Sequence, residues 1–183
     1  MKREFTGILL CGGKSSRMGR DKYALVYNNK PMYEPALDTL HRFCDEVLIS
    51  SNRIFPEFKN YPILHDEISG IGPMGGLYTC LKISKTEYNM VLACDMPLVS
   101  GTLMSEMANF KGKFDAIVPM VNDRLEPLYA IYNTSILTTI EKQINKLDFS
   151  LLHMFASLNV HYFNSSVNEN ELLNINTPAE LVL

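Results

Sequence analysis

Thr6-Gly7-Ile8-Leu9-Leu10-Cys11-Gly12-Gly13 is the stretch on which the fold turns. Ile8 to Cys11 is a continuous apolar run, which reads as a short buried strand, and the two glycines end it. A strand apolar on both faces suits a parallel sheet covered on each side by helices. The chain on the C-terminal side repeats that alternation. Pro31 to Phe43 carries Met32, Pro35, Ala36, Leu37, Leu40 and Phe43 at helical spacing, and Glu46-Val47-Leu48-Ile49-Ser50 is a second strand. Tyr61-Pro62-Ile63-Leu64-His65 is a third, which its proline places near an edge. Pro73 to Ile83 reads as a helix with proline at its first position, and Tyr88 to Cys94 as a fourth strand. Further on, Asp115–Pro119 and Leu128–Tyr132 read as strands, and Thr134–Lys146 and Phe149–Ala156 as helices. Val160–Phe163 and Leu172–Ile175 are short strands, and Thr177-Pro178 opens a terminal helix. The expected fold is α/β, with a mostly parallel sheet, helices on both faces, and a single domain over residues 1–183.

The bulk numbers exclude several classes. Net charge is −3, so a broad electrostatic footprint for nucleic acid is not expected, and an anionic ligand needs a local cluster of donors. The apolar run after the basic start is too short for a signal-peptide core or a membrane span, and a cytoplasmic location is the expectation. Cys11, Cys44, Cys80 and Cys94 form no C-x-x-C pair, which favours buried free thiols over zinc ligation or disulfides.

In open parallel sheets, ligands bind beyond the carboxyl ends of the strands. Gly12, Ser50, Asp66 and Asp95 each follow an expected strand. Gly12-Gly13 lets backbone N–H groups turn towards an anion, and Lys14, Arg17 and Lys22 add positive charge within a few residues. Gly13-Lys14-Ser15 is not a P-loop, because the required glycine five positions before Gly13 is Ile8. Gly70-Ile71-Gly72-Pro73-Met74-Gly75 spells the dinucleotide fingerprint, but Asp66–Ser69 separates it from its strand and a proline interrupts it. It keeps an NAD-binding oxidoreductase open as an alternative. Asp95, held before Met96-Pro97, is placed to bind Mg²⁺ or to cap its turn, and the two readings stand level. Asp66 suits two adjacent donors, such as guanine N1–H and N2–H₂ or ribose hydroxyls, although a turn role is the commoner one. Asn174 and Asn176 bracket Ile175 on one strand face, where they share a ligand or simply end the strand.

Leu10-Cys11-Gly12-Gly13-Lys14-Ser15-Ser16-Arg17-Met18-Gly19 with Asp21-Lys22 resembles the signature L-A-G-G-x-x-x-R-M-G-x-x-D-K of molybdenum-cofactor guanylyltransferases. In the same order follow Asp66 with Gly72-Pro73-Met74-Gly75-Gly76-Leu77, then Ala93-Cys94-Asp95-Met96-Pro97, Glu126 to Tyr132, and Asn174-Ile175-Asn176-Thr177-Pro178. The resemblance spans almost the whole chain. It implies a Rossmann-like fold of nucleotide-diphospho-sugar transferase type, with GTP and molybdopterin as substrates and Mg²⁺ as cofactor. By the same resemblance Leu10, Cys11, Gly12 and Gly13 meet the nucleotide, Lys22 the phosphates, Asp66 the nucleoside and Asp95 the metal. Lys22, Arg17 and Asp95 form the catalytic set, and Lys14, Arg17, Asn174 and Asn176 face the acceptor. It further implies a monomer or small homo-oligomer in transient contact with other molybdenum-cofactor proteins, with no nucleic acid or membrane partner. Cys11 replaces the usual alanine, and Met74-Gly75 the usual Leu-Ala. Ser50 stands where many members carry a nucleotide-contacting asparagine, with Asn52 nearby. A related cytidylyltransferase or sugar-nucleotide pyrophosphorylase shares the opening loop and is the nearest alternative.

Overall fold

A computed structural model describes residues 4–12, 26–53, 55–164 and 172. In chain order the elements are β1 (Phe5–Leu10), β2 (Val26–Tyr27), β3 (Lys30–Pro31), α1 (Glu34–Phe43), β4 (Cys44–Ser50), β5 (Ile63–Leu64), α2 (Pro73–Ile83) and β6 (Tyr88–Ala93). They continue with α3 (Thr102–Ala108), β7 (Ala116–Val121), β8 (Arg124–Leu125), β9 (Tyr129–Asn133), α4 (Leu137–Asn145), α5 (Leu151–Met154) and β10 (Val160–Asn164). The central sheet runs β10-β7-β9-β6-β1-β4-β5, with β8 attached to β7. β6, β1, β4 and β5 are mutually parallel, as are β10 and β7. β9 runs antiparallel to both its neighbours, β6 and β7. The sheet is therefore mostly parallel, as the continuous apolar strands require, with β9 reversed within it and the short β8 reversed beside β7. β5, the strand with Pro62 just before it, lies at the sheet edge.

Strand alternation sorts the core into two layers. Leu9, Val47, Ile49, Met90, Leu92 and Ile131 pack with Leu40 of α1 and Leu103 and Met107 of α3. Ile8, Leu10, Leu48, Val91, Ala130 and Tyr132 point the other way and pack with Met74 and Leu77 of α2, Ile140 of α4 and Met154 of α5. Both faces of the sheet are thereby covered. Each large side chain buried completely, such as Leu40 or Leu77, contributes about 1.5–3 kcal/mol. Gly7 sets how close α1 lies to the sheet, since a Cβ there would come within 3.1 Å of Leu40 Cβ and of Val47 Cγ2.

Three local features depart from the periodicity reading. The α1 helix starts at Glu34 rather than Pro31, because Pro35 lies in its first turn and Pro31 is spent pairing in β3. The α3 helix has only seven residues, too few for a helical period to stand out, and it docks when Met104 N–H donates to the Tyr129 hydroxyl at 3.1 Å. The short hairpins β2–β3 and β7–β8 turn on Asn28-Asn29 and Asn122-Asp123, all four at positive φ, the conformation that two-residue hairpin loops demand. Among the described residues no helix is long and apolar enough to cross a membrane.

Candidate active site

Parallel pairing brings four strand ends to one edge. Leu10 lies opposite Ser50 on one side and Ala93 on the other, and Ser50 lies opposite Leu64. The ladder continues just past the strands: Cys11 N–H donates to Ser50 O (2.8 Å), Cys94 N–H to Leu10 O (3.1 Å) and Ser51 N–H to Leu64 O (3.0 Å). Asp95 and Gly12 emerge from this edge on neighbouring strands, and Asp66 emerges from it one strand further, beyond Ser50. The Cys11 amide is thus committed to the sheet, whereas Gly12 is exposed and a Cβ there would meet nothing within 4 Å.

Asp66 sits in a built cluster. Its Oδ1 accepts from Ser50 Oγ (3.3 Å) and its Oδ2 from Asn52 Nδ2 (2.8 Å), while its own N–H donates to Asn52 Oδ1 (2.9 Å). Two glycines of α2 make room for it. A Cβ on Gly76 would lie 2.2 Å from Ser50 Oγ, and one on Gly75 would lie 2.8 Å from Ile68 O and 3.4 Å from Asp66 Oδ2. The turn leading into α2 uses Gly70 and Gly72 at φ +83° and +65°, a region that L side chains rarely adopt. The G-x-G-x-x-G spelling is thereby accounted for as two turn glycines and one close-packing glycine. Glu67 N–H donates to Thr79 Oγ1 (2.9 Å), and Glu67 pairs with Lys82 (2.7 Å), which ties the loop to the helix behind it.

Asp95 occupies the turn directly after β6, half-buried between the buried Cys94 and Met96. Protonated thiols stand behind both carboxylates. A hydrogen bond with Cys94, burial, and the nearby Cys94 and Asp95 push the Cys11 thiol well above its ordinary range. Burial first, and then the charge of Asp66, push Cys80 up to about 12. All four cysteines are free.

Of the residues singled out in the sequence, the sheet edge gathers Leu10, Cys11, Gly12, Ser50, Asp66 and Asp95. Ser50 is 2% exposed and reaches the edge through Asp66. His65 is exposed, beside the cluster. Gly13, Lys14, Arg17, Lys22, Asn174 and Asn176 lie outside the described residues, as does the expected terminal helix. Two residues of this edge had been given no role. Asn52 lies two positions past Ser50, as Asp66 lies two past Leu64, so the parallel register brings the pair together; that signal exists only once β4 and β5 are known to be neighbours. Glu126 is a buried carboxylate paired with Arg124 (3.0 Å), and Ala93 N–H donating to Leu128 O (3.0 Å) holds its segment beside β6.

A doubly wound sheet with a glycine-ended first strand and strand-end carboxylates on its carboxyl edge is the architecture of an α/β nucleotidyltransferase. The chain belongs to the family described as the MobA-like NTP transferase domain, whose model matches residues 7–158. It is 31% identical over 179 residues to a protein of Flavobacterium johnsoniae named "probable molybdenum cofactor guanylyltransferase", covering 96% of this chain and 94% of that one. It is 31% identical over 186 residues to the molybdenum cofactor guanylyltransferase of Yersinia pseudotuberculosis, covering 98% and 94%. Among solved structures, molybdopterin-guanine dinucleotide biosynthesis protein A from Archaeoglobus fulgidus superposes with a TM-score of 0.83 at 24% identity, covering 97% and 95% of the two chains. The 2-C-methyl-D-erythritol 4-phosphate cytidylyltransferase of Thermus thermophilus shares the fold, with a TM-score of 0.70 at 16% identity, covering 96% and 94%.

Proposed function

We propose that the protein transfers the guanylyl group of GTP to molybdopterin. A terminal phosphate oxygen of the acceptor attacks the α-phosphorus, the bond to the β-phosphate breaks, and pyrophosphate leaves with molybdopterin guanine dinucleotide as product. The observation that carries this reading is the placement of Asp66 and Asp95 on either side of Gly12 at one sheet edge. The names of the relatives supply the substrates. Asp66 accepts from the nucleoside, with Ser50 behind it. Leu10, Cys11, Gly12 and Gly13 meet the nucleotide through backbone; the Cys11 N–H is committed to Ser50, so its carbonyl is left to accept from a donor of the nucleoside. Lys22 and Arg17 offset charge on the transferring phosphate, and Lys14, Arg17, Asn174 and Asn176 hold the acceptor. No general base is needed, because a phosphate nucleophile is already ionised at neutral pH, so positioning and electrostatics supply most of the rate.

The edge fits Mg²⁺. Asp95 offers a hard oxygen donor, of the kind that Mg²⁺ takes together with substrate phosphates and water. Such an ion supplies charge neutralisation for phosphoryl transfer. The same reading places the protein in the cytoplasm, as one domain, monomeric or in a small homo-oligomer, meeting other molybdenum-cofactor proteins transiently.

A thermal-shift panel with Mg²⁺ tests the nucleotide, since a ligand binding only the folded state adds roughly 2.7 kcal/mol at a hundredfold excess over its dissociation constant. GTP is expected to stabilise the protein more than CTP, ATP or NAD, and to release pyrophosphate only when molybdopterin is present. Tighter binding of CTP than of GTP refutes the assignment.

A further inference from the structure

We propose that Asn52 is a positioning residue that sets the Asp66 carboxylate for guanine, and so determines which nucleotide the site prefers. The inference rests on the reading of Asp66 as the nucleoside acceptor. Asn52 meets that one residue at two points: its amide nitrogen donates to Oδ2 at 2.8 Å, and its amide oxygen accepts the Asp66 N–H at 2.9 Å. A planar amide bound at both ends fixes the Asp66 main chain and the tilt of its carboxylate together. Ser51 holds the turn that presents Asn52, its Oγ accepting from Arg53 N–H at 3.1 Å.

Ser50 and Asn52 take one oxygen each. A carboxylate has about four lone-pair sites, so one acceptor direction on each oxygen is left from these two bonds. Two parallel acceptors match two adjacent donors, the arrangement of guanine N1–H and N2–H₂. Adenine offers no such pair, and hypoxanthine offers only N1–H. Asn52 is exposed and touches Asp66 from the solvent side, while Ser50 touches it from the buried side. Loss of Asn52 frees the carboxylate to rotate about the weaker Ser50 contact, and the matched pair of acceptors is lost.

The experiment measures dissociation constants of GTP, ITP and ATP with Mg²⁺, together with the melting temperature, for Asn52→Ala, Asn52→Asp, Asp66→Ala and the double variant Asn52→Ala/Asp66→Ala. Asn52→Ala is expected to weaken GTP binding about tenfold or more, the scale of a hydrogen bond to a charged group, while ATP binding stays close to that of the wild type. The preference for GTP over ITP shrinks in step. Asn52→Asp, which keeps the shape but sets a second carboxylate against Asp66, weakens GTP binding further. Asn52→Ala adds nothing in the Asp66→Ala background. Three results overturn the inference while Asp66→Ala remains impaired: GTP binding by Asn52→Ala equal to wild type, equal losses for all three nucleotides, or additive losses in the double variant. An Asp66→Ala variant that binds GTP normally overturns the reading of Asp66 itself, and the inference with it.

Discussion

The two strand-end carboxylates are built differently. Asp66 is clamped by the hydroxyl of Ser50 and the amide of Asn52, and α2 approaches it through Gly75 and Gly76. Asp95 stands in the turn after β6, close enough to the Cys11 thiol to help hold it protonated. A carboxylate held by neutral donors keeps a fixed direction, which suits recognition of a rigid base. Asp95, half-buried in the turn beside the exposed Gly12, offers a hard oxygen where the proposed function puts the phosphates, which suits a cation. The difference separates recognition from charge neutralisation along one sheet edge, and substitutions at each end should report on different quantities.

The largest expected effect is at Asp95. Asp95→Asn should lower the rate of pyrophosphate release by about 10²–10³-fold, the scale of a lost transition-state contact, with a much smaller change in GTP affinity. Equal losses in rate and affinity would erase the contrast with Asp66. Next is Gly76→Ala. Its Cβ would lie 2.2 Å from Ser50 Oγ and 3.1 Å from Leu10 Cδ2, so the hydroxyl must turn away from Asp66. Overpacking of this kind costs about 1–3 kcal/mol, to be read from urea denaturation, and GTP affinity should fall with it.

The thiols carry the two smaller effects. Cys80 has its pKa raised from 9.0 to about 12, so above pH 9.0 the unfolded chain loses a proton that the folded chain keeps, and this contribution to stability declines as pH rises. Cys80→Ala removes that decline. Its stability deficit against the wild type should shrink by about 1.4 kcal/mol per pH unit above 9.0, measured by denaturant melts across that range. Cys11, also held protonated, should be alkylated by iodoacetamide at pH 8 more slowly than a free thiol, with the slowness abolished in denaturant. Alkylation at the free rate would mean that the thiol behind Asp95 shares its charge.

The architecture was largely legible in the sequence. The apolar runs Ile8–Cys11 and Met90–Cys94 have no polar face, and Pro73 marks the start of α2. The reversed β9 was not legible, because an apolar strand such as Tyr129–Ile131 looks the same in either direction. The hairpin turns at Asn28-Asn29 and Asn122-Asp123 were missed because their flanking strands, two residues each on β2, β3 and β8, are too short to show alternation.

What the sequence determined by itself is that Gly12, Ser50, Asp66 and Asp95 each lie at or just past the end of a strand, since hydrophobic periodicity marks where strands stop. The order of those strands decided the rest. Register places Asn52 against Asp66 and Cys11 against Cys94, pairs separated by 14 and by 83 positions in the chain. Distances that long are closed only by packing of the whole sheet, because local propensity acts over a few neighbours and carries no information about which strand lies beside which.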